Sequence, residues 1–198
     1  MTRPFFHFIT LFPETIHVWM TTSILGRAHD AGLFEFKTYQ LRDFSTDKHL
    51  NVDDVAYGGG GGMVLKVEPL AKAVESIWTK IGRDLSCVVY FSPVGTPMTH
   101  ELVKGLAYKN PTRHFIFVCG HYEGVDQRFI DLHVDWQISL GDFVLSGGEI
   151  PALAWLDAVA RLQEGVLHDA QSHAQDSFSV AWDGLLDHPH YKIGRAHV

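Results

Sequence analysis

The sequence predicts an α/β fold built on a parallel sheet. Several apolar runs are rich in β-branched and aromatic residues, which is typical of strands buried on both faces. Between these runs, apolar residues recur at helical spacing, as Leu70, Val74 and Ile77 do after Pro69. Because strands that alternate with helices form parallel sheets, we expect a ligand site at the carboxyl ends of the strands.

The elements are expected in a simple alternating order. Strands are predicted at Phe5–Phe12, Leu33–Leu41, Cys87–Phe91, His114–Cys119 and Val134–Leu140. Helices are predicted at Leu70–Ile81, at Val125–Leu132 and from about Glu149 to Gln163. The stretches Thr46–Met63 and Gln163–Asp187 are long for plain connections, which indicates functional or mobile segments.

Composition indicates an ordinary globular protein. The chain has 198 residues, of which 46% are hydrophobic and 20% charged, enough for one substantial core. No apolar run approaches the ~18 residues of a membrane span, and the N-terminus lacks a signal-peptide pattern, so a cytoplasmic location is expected. The net charge of −7 argues against broad nucleic-acid affinity and by itself favours a small-molecule enzyme. Cys87 and Cys119 lie in apolar strands and are predicted to be buried thiols, neither of them a nucleophile.

Three loops at predicted strand ends could form a cofactor pocket. The most informative is Ser139–Gly148, which holds three glycines and runs into a helix with Pro151 in its first turn. Such a segment can bind a folded cofactor through free backbone N–H groups, or it can be an ordinary glycine-rich turn. The loops Ser92–Gly95 and Gly120–Gly124 follow two other strands, and all three should meet at one edge of the sheet.

The nucleotide and metal motifs that can be tested are missing. Met63 after Gly58–Gly62 breaks the G-x-G-x-x-G pattern, and no Gly-Lys-Ser/Thr occurs, so a cofactor without phosphates is favoured. The late histidines do not have the cysteine partners and spacing of a structural zinc site, and no metal site is predicted. These histidines are His168, His173, His188 and His190.

The chain resembles the bacterial tRNA (guanine-N1)-methyltransferases. The motifs that carry the resemblance appear in order between residues 11 and 191. They are Leu11–Glu14, Arg42–Phe44, Val52–Asp54, Tyr57–Gly60, Cys119–Gly124, Gly141–Glu149, Asp176–Phe178 and Gly184–Tyr191. The resemblance implies a SPOUT-class domain with a deep trefoil knot, S-adenosylmethionine bent within that knot, and a homodimer. It also implies methylation of N1 of guanine 37 in tRNA, and a Mg²⁺ requirement.

The resemblance assigns Asp176 and Arg161 to catalysis. Guanine N1 carries a proton at neutral pH, so its methylation needs a base within hydrogen-bond reach. Asp176 matches the catalytic aspartate of the family, and Arg161 matches the arginine that stabilises negative charge on guanine O6. Without the resemblance, Asp176 would be a surface acid and Arg161 a solvated helix residue.

Further roles follow by position. The resemblance implies cofactor contacts at Tyr90, Ser92, Pro93, Gly95, Gly120, Tyr122, Glu123, Gly124, Ser139, Leu140, Gly141, Phe143, Leu145, Gly147, Gly148 and Pro151. It implies tRNA contacts at Arg42, Asp54, Tyr57, Gly62 and Asp187. Glu123 either faces the cationic part of the cofactor or is a helix N-terminal acid.

The chain departs from the family pattern at four places. Val94 stands where glutamine is usual, Gly61 replaces a proline, and His121 replaces a common arginine. A pocket that binds through its main chain tolerates such replacements. A short insertion at Ser179–Asp183 bears on the geometry of the Asp176 loop.

The predicted domain organisation is a methyltransferase domain followed by a shortened C-terminal part. Residues 1–165 form the knotted domain, and residues 166–192 form an interdomain loop and the start of a truncated C-terminal domain. Residues 193–198 match a translated sequencing adapter and are expected to be read-through that carries no biological information. Two other functions stay open: a tRNA-binding fragment with impaired catalysis, and a small-molecule methyltransferase of the same class. Filter binding with tRNA separates them.

Overall fold

The protein contains a five-stranded parallel sheet and a small hairpin. The computed structural model describes residues 3–58, 61–105, 114–167, 176–179 and 183–189. Its strands are β1 (Phe5–Thr10), β2 (Glu35–Gln40), β3 (Asp53–Val55), β4 (Met63–Leu65), β5 (Ser86–Pro97), β6 (His114–Val118) and β7 (Trp136–Ser139). The sheet order is β2-β1-β6-β5-β7, and all neighbours in it are parallel. Strands β3 and β4 form the antiparallel hairpin.

Helices cover both faces of the sheet. They are α1 (Pro13–Met20), α2 (Ser23–Asp30), α3 (Val67–Ile81), α4 (His100–Lys104), α5 (Gln127–His133) and α6 (Glu149–Arg161). Buried residues of α1, α2, α4 and α6 share one core cluster, and those of α3 and α5 share another. Since successive strand residues point to opposite faces, Phe8 belongs to the first cluster and Ile9 to the second. The result is the three-layer arrangement that parallel sheets require.

Aromatic packing fixes α6 on the sheet. Trp155 is fully buried, and its ring centre lies 5.1 Å from those of both Phe115 and Phe117 on β6. Phe6 of the neighbouring strand stacks on the same two phenylalanines. Large aromatic rings contribute most of the apolar area in such a layer, so α6 has a defined position against β6.

The parallel α/β prediction is confirmed, with two corrections. Strand β5 does not end at Phe91 but continues to Pro97, and Ile138 of β7 pairs with both Phe91 and Thr96. The predicted Ser92–Gly95 loop is therefore a bulge within one strand. Helices α1, α2 and α4 and the hairpin β3–β4 were not predicted from the sequence.

Some sequence predictions lie outside the described residues. These are the statements on Gly59, Gly60, His168, His173, His190 and residues 190–198, and most of the insertion before Gly184. The knot and the domain boundaries also stay predictions. No helix among the residues described is long and apolar enough to cross a membrane.

A buried histidine lies in the sheet on the α3 side. Atom Nδ1 of His7 lies 3.0 Å from the Tyr39 hydroxyl, and its Nε2 lies 3.0 Å from Nδ1 of His114. Burial, the neighbouring His114 and two lysines lower the pKa of His7 to about 3. Burial also lowers the pKa of His114. Burial therefore disfavours the protonated form of both imidazoles, and His7 is neutral at neutral pH.

Replacing His7 with glutamine should make the stability of the protein less sensitive to acid. The pKa of His7 is lower in the folded state than its ordinary 6.5, so the unfolded chain takes up the proton first as the pH falls. The free energy of unfolding is therefore unaffected by the protonation of His7 above pH 6.5. Between pH 6.5 and pH 3 it falls because of His7 by at most about 1.4 kcal/mol per pH unit.

Urea unfolding of wild type and His7→Gln between about pH 7 and 4.5 measures how steeply the free energy of unfolding of each protein falls with pH. His49→Gln, a change at an exposed loop histidine, is the matched control and should follow the wild-type profile. Parallel profiles for wild type and His7→Gln would contradict the assignment.

Candidate functional site

A single cavity collects the three loops that the sequence singles out. Its volume is about 300 Å³, at the lower end of the usual range for small-molecule sites, and it is lined by the middle of β5 and by residues at and beyond the carboxyl ends of β6 and β7. Of the sixteen positions named above as cofactor contacts, fifteen line the cavity and Gly95 does not.

Gly95 has a different neighbour. A Cβ at this position would lie 2.6 Å from the backbone N and C of Ile138. The glycine therefore allows the bulge of β5 to lie against the backbone of β7, and its role is chain packing. The cofactor contact at Gly95 stays a prediction, and in this structure the residue does not line the cavity.

Sequence reasoning missed five residues that line the cavity. They are Phe91, His121, Ile138, Val144 and Ser146. Each lies beside a predicted contact in the same segment. A prediction that took each of the three segments as a whole would have included them. His121 is the one of chemical interest, because its imidazole has a buried carboxylate partner.

The cavity wall is largely main chain because the second and third loops touch each other. The N–H of Gly148 donates to the carbonyl oxygen of Gly120 at 2.9 Å. A Cβ at residue 148 would lie 2.7 Å from the Cα of Cys119, closer than real Cβ atoms approach. A Cβ at Gly120 would lie 2.9 Å from the ring of Tyr90. Glycine is therefore required at both positions for packing between segments.

A buried ion pair lies directly behind this wall. The Glu149 carboxylate lies 2.8 Å from Nε2 of His121 and accepts a hydrogen bond of 2.5 Å from the Thr10 hydroxyl. Burial favours the neutral acid, but the hydrogen bonds from His121 and Thr10 outweigh it and hold the pKa of Glu149 below its ordinary value. The carboxylate is therefore ionised and paired.

The hairpin β3–β4 docks on the second loop. The N–H of Glu123 donates to the carbonyl of Met63, and the N–H of Leu65 donates to that of Gly124. A Cβ at Gly62 would lie 2.5 Å from Glu123, so this predicted tRNA contact borders the cavity.

The other predicted tRNA contacts are spread over the surface. Tyr57 is fully exposed, and Asp54 on β3 pairs with Lys66 at 3.6 Å. Arg42 is half-buried in the turn that follows β2. The backbone N–H of Asp187 donates to the Ser177 hydroxyl, which joins the two short segments near Asp176.

The two predicted catalytic residues form an ion pair away from the cavity. Arg161 Nη2 lies 2.5 Å from Asp176 Oδ2, and both side chains are about 40% exposed. Pro151 lines the cavity from the first turn of α6, whereas Arg161 ends that helix. At 1.5 Å per residue the two lie about 15 Å apart along the axis. The structure thus brings Arg161 and Asp176 together but not to the cavity of their own chain.

The cysteines are buried and unbridged, as predicted. Burial raises the pKa of the Cys87 thiol to about 12, and burial together with the charge of Glu149 raises that of Cys119 well above its ordinary value. Neither thiol is a nucleophile at neutral pH. In the described part of the chain, no three metal-ligating side chains cluster.

Known proteins with similar sequences share one activity. The family model described as tRNA (Guanine-1)-methyltransferase TrmD matches residues 5–197. A tRNA (guanine-N(1)-)-methyltransferase of Leptothrix cholodnii is 53% identical over 94% of this chain and 72% of its own length. The corresponding protein of Synechococcus elongatus is 50% identical over 94% and 75%. The crystal structure of the tRNA (m1G37) methyltransferase from Aquifex aeolicus superposes with a TM-score of 0.75 at 40% identity, covering 85% of this chain and 73% of that one.

The parallel sheet, the loop-lined cavity and these similarities define a methyltransferase of the SPOUT class. Within that class, the chain belongs to the tRNA (guanine-1)-methyltransferase TrmD family. It is therefore an enzyme, and its family uses S-adenosylmethionine as the methyl donor.

Gly147→Val should abolish binding of S-adenosylmethionine. A Cβ at residue 147 would lie 2.3 Å from the His121 ring and 2.5 Å from the Glu149 carboxylate, so a side chain there would push the third loop into the cavity. Isothermal calorimetry measures the loss. Gly105→Val is the matched control, because nothing lies within 4 Å of a Cβ at that position. Wild-type affinity in Gly147→Val would exclude this cavity as the cofactor site.

Proposed function

We propose that the cavity binds S-adenosylmethionine and that the enzyme methylates N1 of guanine 37 in tRNA. The observation that carries the proposal is the convergence on one cavity of the β5 bulge and the two loops that follow β6 and β7. Family membership supports the reaction class, and the sequence motifs support the target base.

The residues present fit this cofactor. Glycine main chain at Gly120, Gly141 and Gly147 offers polar groups without side chains in the way, which suits an adenosine held by backbone hydrogen bonds. Ile138 and Leu145 supply apolar surface for the base. When bound, S-adenosylmethionine supplies the electrophilic methyl group that guanine N1 receives.

Asp176 is the proposed base. Guanine N1 must lose its proton to become nucleophilic, and a carboxylate within hydrogen-bond reach can take that proton, contributing about 10²- to 10⁴-fold in rate. The ion pair with Arg161 presents an acceptor oxygen and a donor nitrogen side by side. Guanine carries the complementary pair, N1–H beside O6, so one carboxylate and one guanidinium can engage both atoms.

Arg161 is the proposed electrostatic stabiliser. As N1 loses its proton, negative charge moves to O6, and a guanidinium directed at that oxygen lowers the barrier. Lysine would be a poor substitute, because an ammonium does not present a planar fork of donors.

A homodimer completes the site in this proposal. The distance of about 15 Å along α6 separates Arg161 from the cavity that Pro151 lines, so the catalytic pair of one chain serves a second chain's cavity. Exposed apolar side chains support association on the α1 and α6 side of the sheet: Val18 is 69% exposed, Trp19 53% and Ile150 55%.

The remaining parts of the proposal follow from the substrate. Arg42, Asp54, Tyr57, Gly62 and Asp187 would contact tRNA, and the protein would work in the cytoplasm, where tRNA is modified. The resemblance also implies a Mg²⁺ requirement, for which we propose no binding site.

Methyl transfer to defined tRNA transcripts tests the proposal. A transcript with guanine at position 37 should accept a methyl group from labelled S-adenosylmethionine, and one with adenine there should not. Binding of both transcripts without methylation would favour a tRNA-binding fragment. Methylation of neither, with no binding, would favour a small-molecule methyltransferase.

Two inactive variants should complement each other. Asp176→Asn keeps the shape of the side chain but cannot take the proton, so it should bind S-adenosylmethionine normally and lose activity by about 10²-fold or more. Gly147→Val should lack cofactor binding. In a mixed dimer, the intact Asp176 of one chain would serve the intact cavity of the other.

Random mixing after subunit exchange should restore about one quarter of wild-type activity, because half of the dimers are mixed and each has one complete site. Asp183→Asn is the control, because it removes the same charge from a nearby residue that has no proposed catalytic role. Its methyl-transfer activity should stay near that of wild type. No recovery on mixing, with exchange verified by mass spectrometry, would contradict the shared site.

A further inference from the structure

We propose that Thr10, His121 and Glu149 form a positioning network that sets the distance between the second and third loops and thereby the affinity of the cavity for the methyl donor. The inference rests on the proposed function of the cavity. None of these three side chains was assigned a role by the sequence motifs.

The network joins parts of the chain that are remote in sequence. Nε2 of His121 lies 2.9 and 2.8 Å from the two carboxylate oxygens of Glu149, and the Thr10 hydroxyl donates to Oε1 at 2.5 Å. The His121 and Glu149 side chains are only 13% and 8% exposed. Hydrogen bonds to an ionised, buried carboxylate are among the strongest that proteins form.

The network acts on the cavity through the main chain of Gly147. Glu149 itself does not line the cavity, whereas His121, Gly147 and Gly148 do. A Cβ on Gly147 would touch both His121 and Glu149, so the ion pair lies directly against the backbone of this residue. The wall formed by the third loop therefore rests on the ion pair.

A second set of contacts ties the network to the start of α1. The Thr10 hydroxyl accepts a hydrogen bond of 2.9 Å from the N–H of Phe12, and the Phe12 ring meets His121 edge-on at 5.1 Å. His121 is thus in contact with the Phe12 ring and the Glu149 carboxylate, and Thr10 bonds to both of these residues. Between the two loops themselves, the main chain adds the Gly148–Gly120 hydrogen bond and a bridge between His121 and Gly147.

The buried carboxylate is what makes the network specific. Removal of His121 leaves the Glu149 carboxylate buried without this hydrogen-bond donor, a state that proteins relieve by admitting water or by moving the chain. Movement of Glu149 displaces the third loop, because the helix that it begins follows Gly148 directly. Arginine can replace histidine here, since its guanidinium also donates hydrogen bonds to a carboxylate.

The test measures S-adenosylmethionine affinity by calorimetry on the complete chain. We expect His121→Leu to raise Kd by about tenfold or more, and His121→Arg to stay within about threefold of wild type. His133→Leu is the matched control, because His133 also neighbours a carboxylate, Glu75 at 3.9 Å, but does not line the cavity. It should leave Kd unchanged.

Two further readouts separate positioning from general stability. A positioning role raises KM for the methyl donor while kcat at saturating donor stays close to wild type, whereas plain destabilisation lowers the urea midpoint and leaves the Kd of the folded protein unchanged. If His121→Leu does not fold, Thr10→Val decides the matter, because it keeps the ion pair and the side-chain shape. It should weaken binding about threefold or more.

Unchanged Kd in His121→Leu or, if that variant does not fold, in Thr10→Val would overturn the inference. Failure of His121→Arg to restore affinity would also overturn it. In both cases wild type still binds the methyl donor, so the proposed function stands. Absence of binding by wild type would instead refute the proposed function and this inference with it.

Discussion

The cavity depends on direct main-chain contact between its second and third loops. The hydrogen bond from Gly148 to Gly120 and the absence of a Cβ at residue 148 allow α6 to begin against the end of β6. Any side chain at residue 148 would have to displace backbone, which cannot rotate away as a flexible side chain does. The start of α6 and the Glu149 carboxylate are therefore fixed by two glycines.

Helix α6 connects this constraint to the proposed catalytic pair. Trp155, packed between Phe115 and Phe117, fixes the helix on the sheet, and its first and last turns then have set positions. The first turn contributes Pro151 to the cavity, and the last residue of the helix is Arg161. A straight helix separates these positions by about 15 Å along its axis, and Arg161 does not line the cavity. This spacing is the reason for proposing a site shared between subunits.

The parallel sheet and the three loops could be predicted because their signals are local. Buried strands such as His114–Val118 are continuous apolar runs, and the glycines of the third loop lie in one segment. Helices α1 and α2 have only eight residues each, too few for clear periodicity, and the hairpin strands have three. Gly95 shows a different limit: its close packing on the backbone of Ile138 depends on a strand that lies far away in the sequence.

Contacts between remote residues were beyond sequence reasoning. Thr10 and Glu149 are 139 positions apart, and no spacing rule joins them.

The total charge gave a misleading indication of substrate class. A net charge of −7 favoured a small-molecule enzyme, yet the chain belongs to a family that modifies tRNA. Acidic residues in this structure are often neutralised in place, as Asp54 is by Lys66 and Asp176 by Arg161. A phosphate backbone responds to the potential of the surface that it touches, within about a Debye length of 10 Å, and much less to charges on the far side of the protein. Where acids are paired at the contact surface, an acidic total is compatible with tRNA as the substrate.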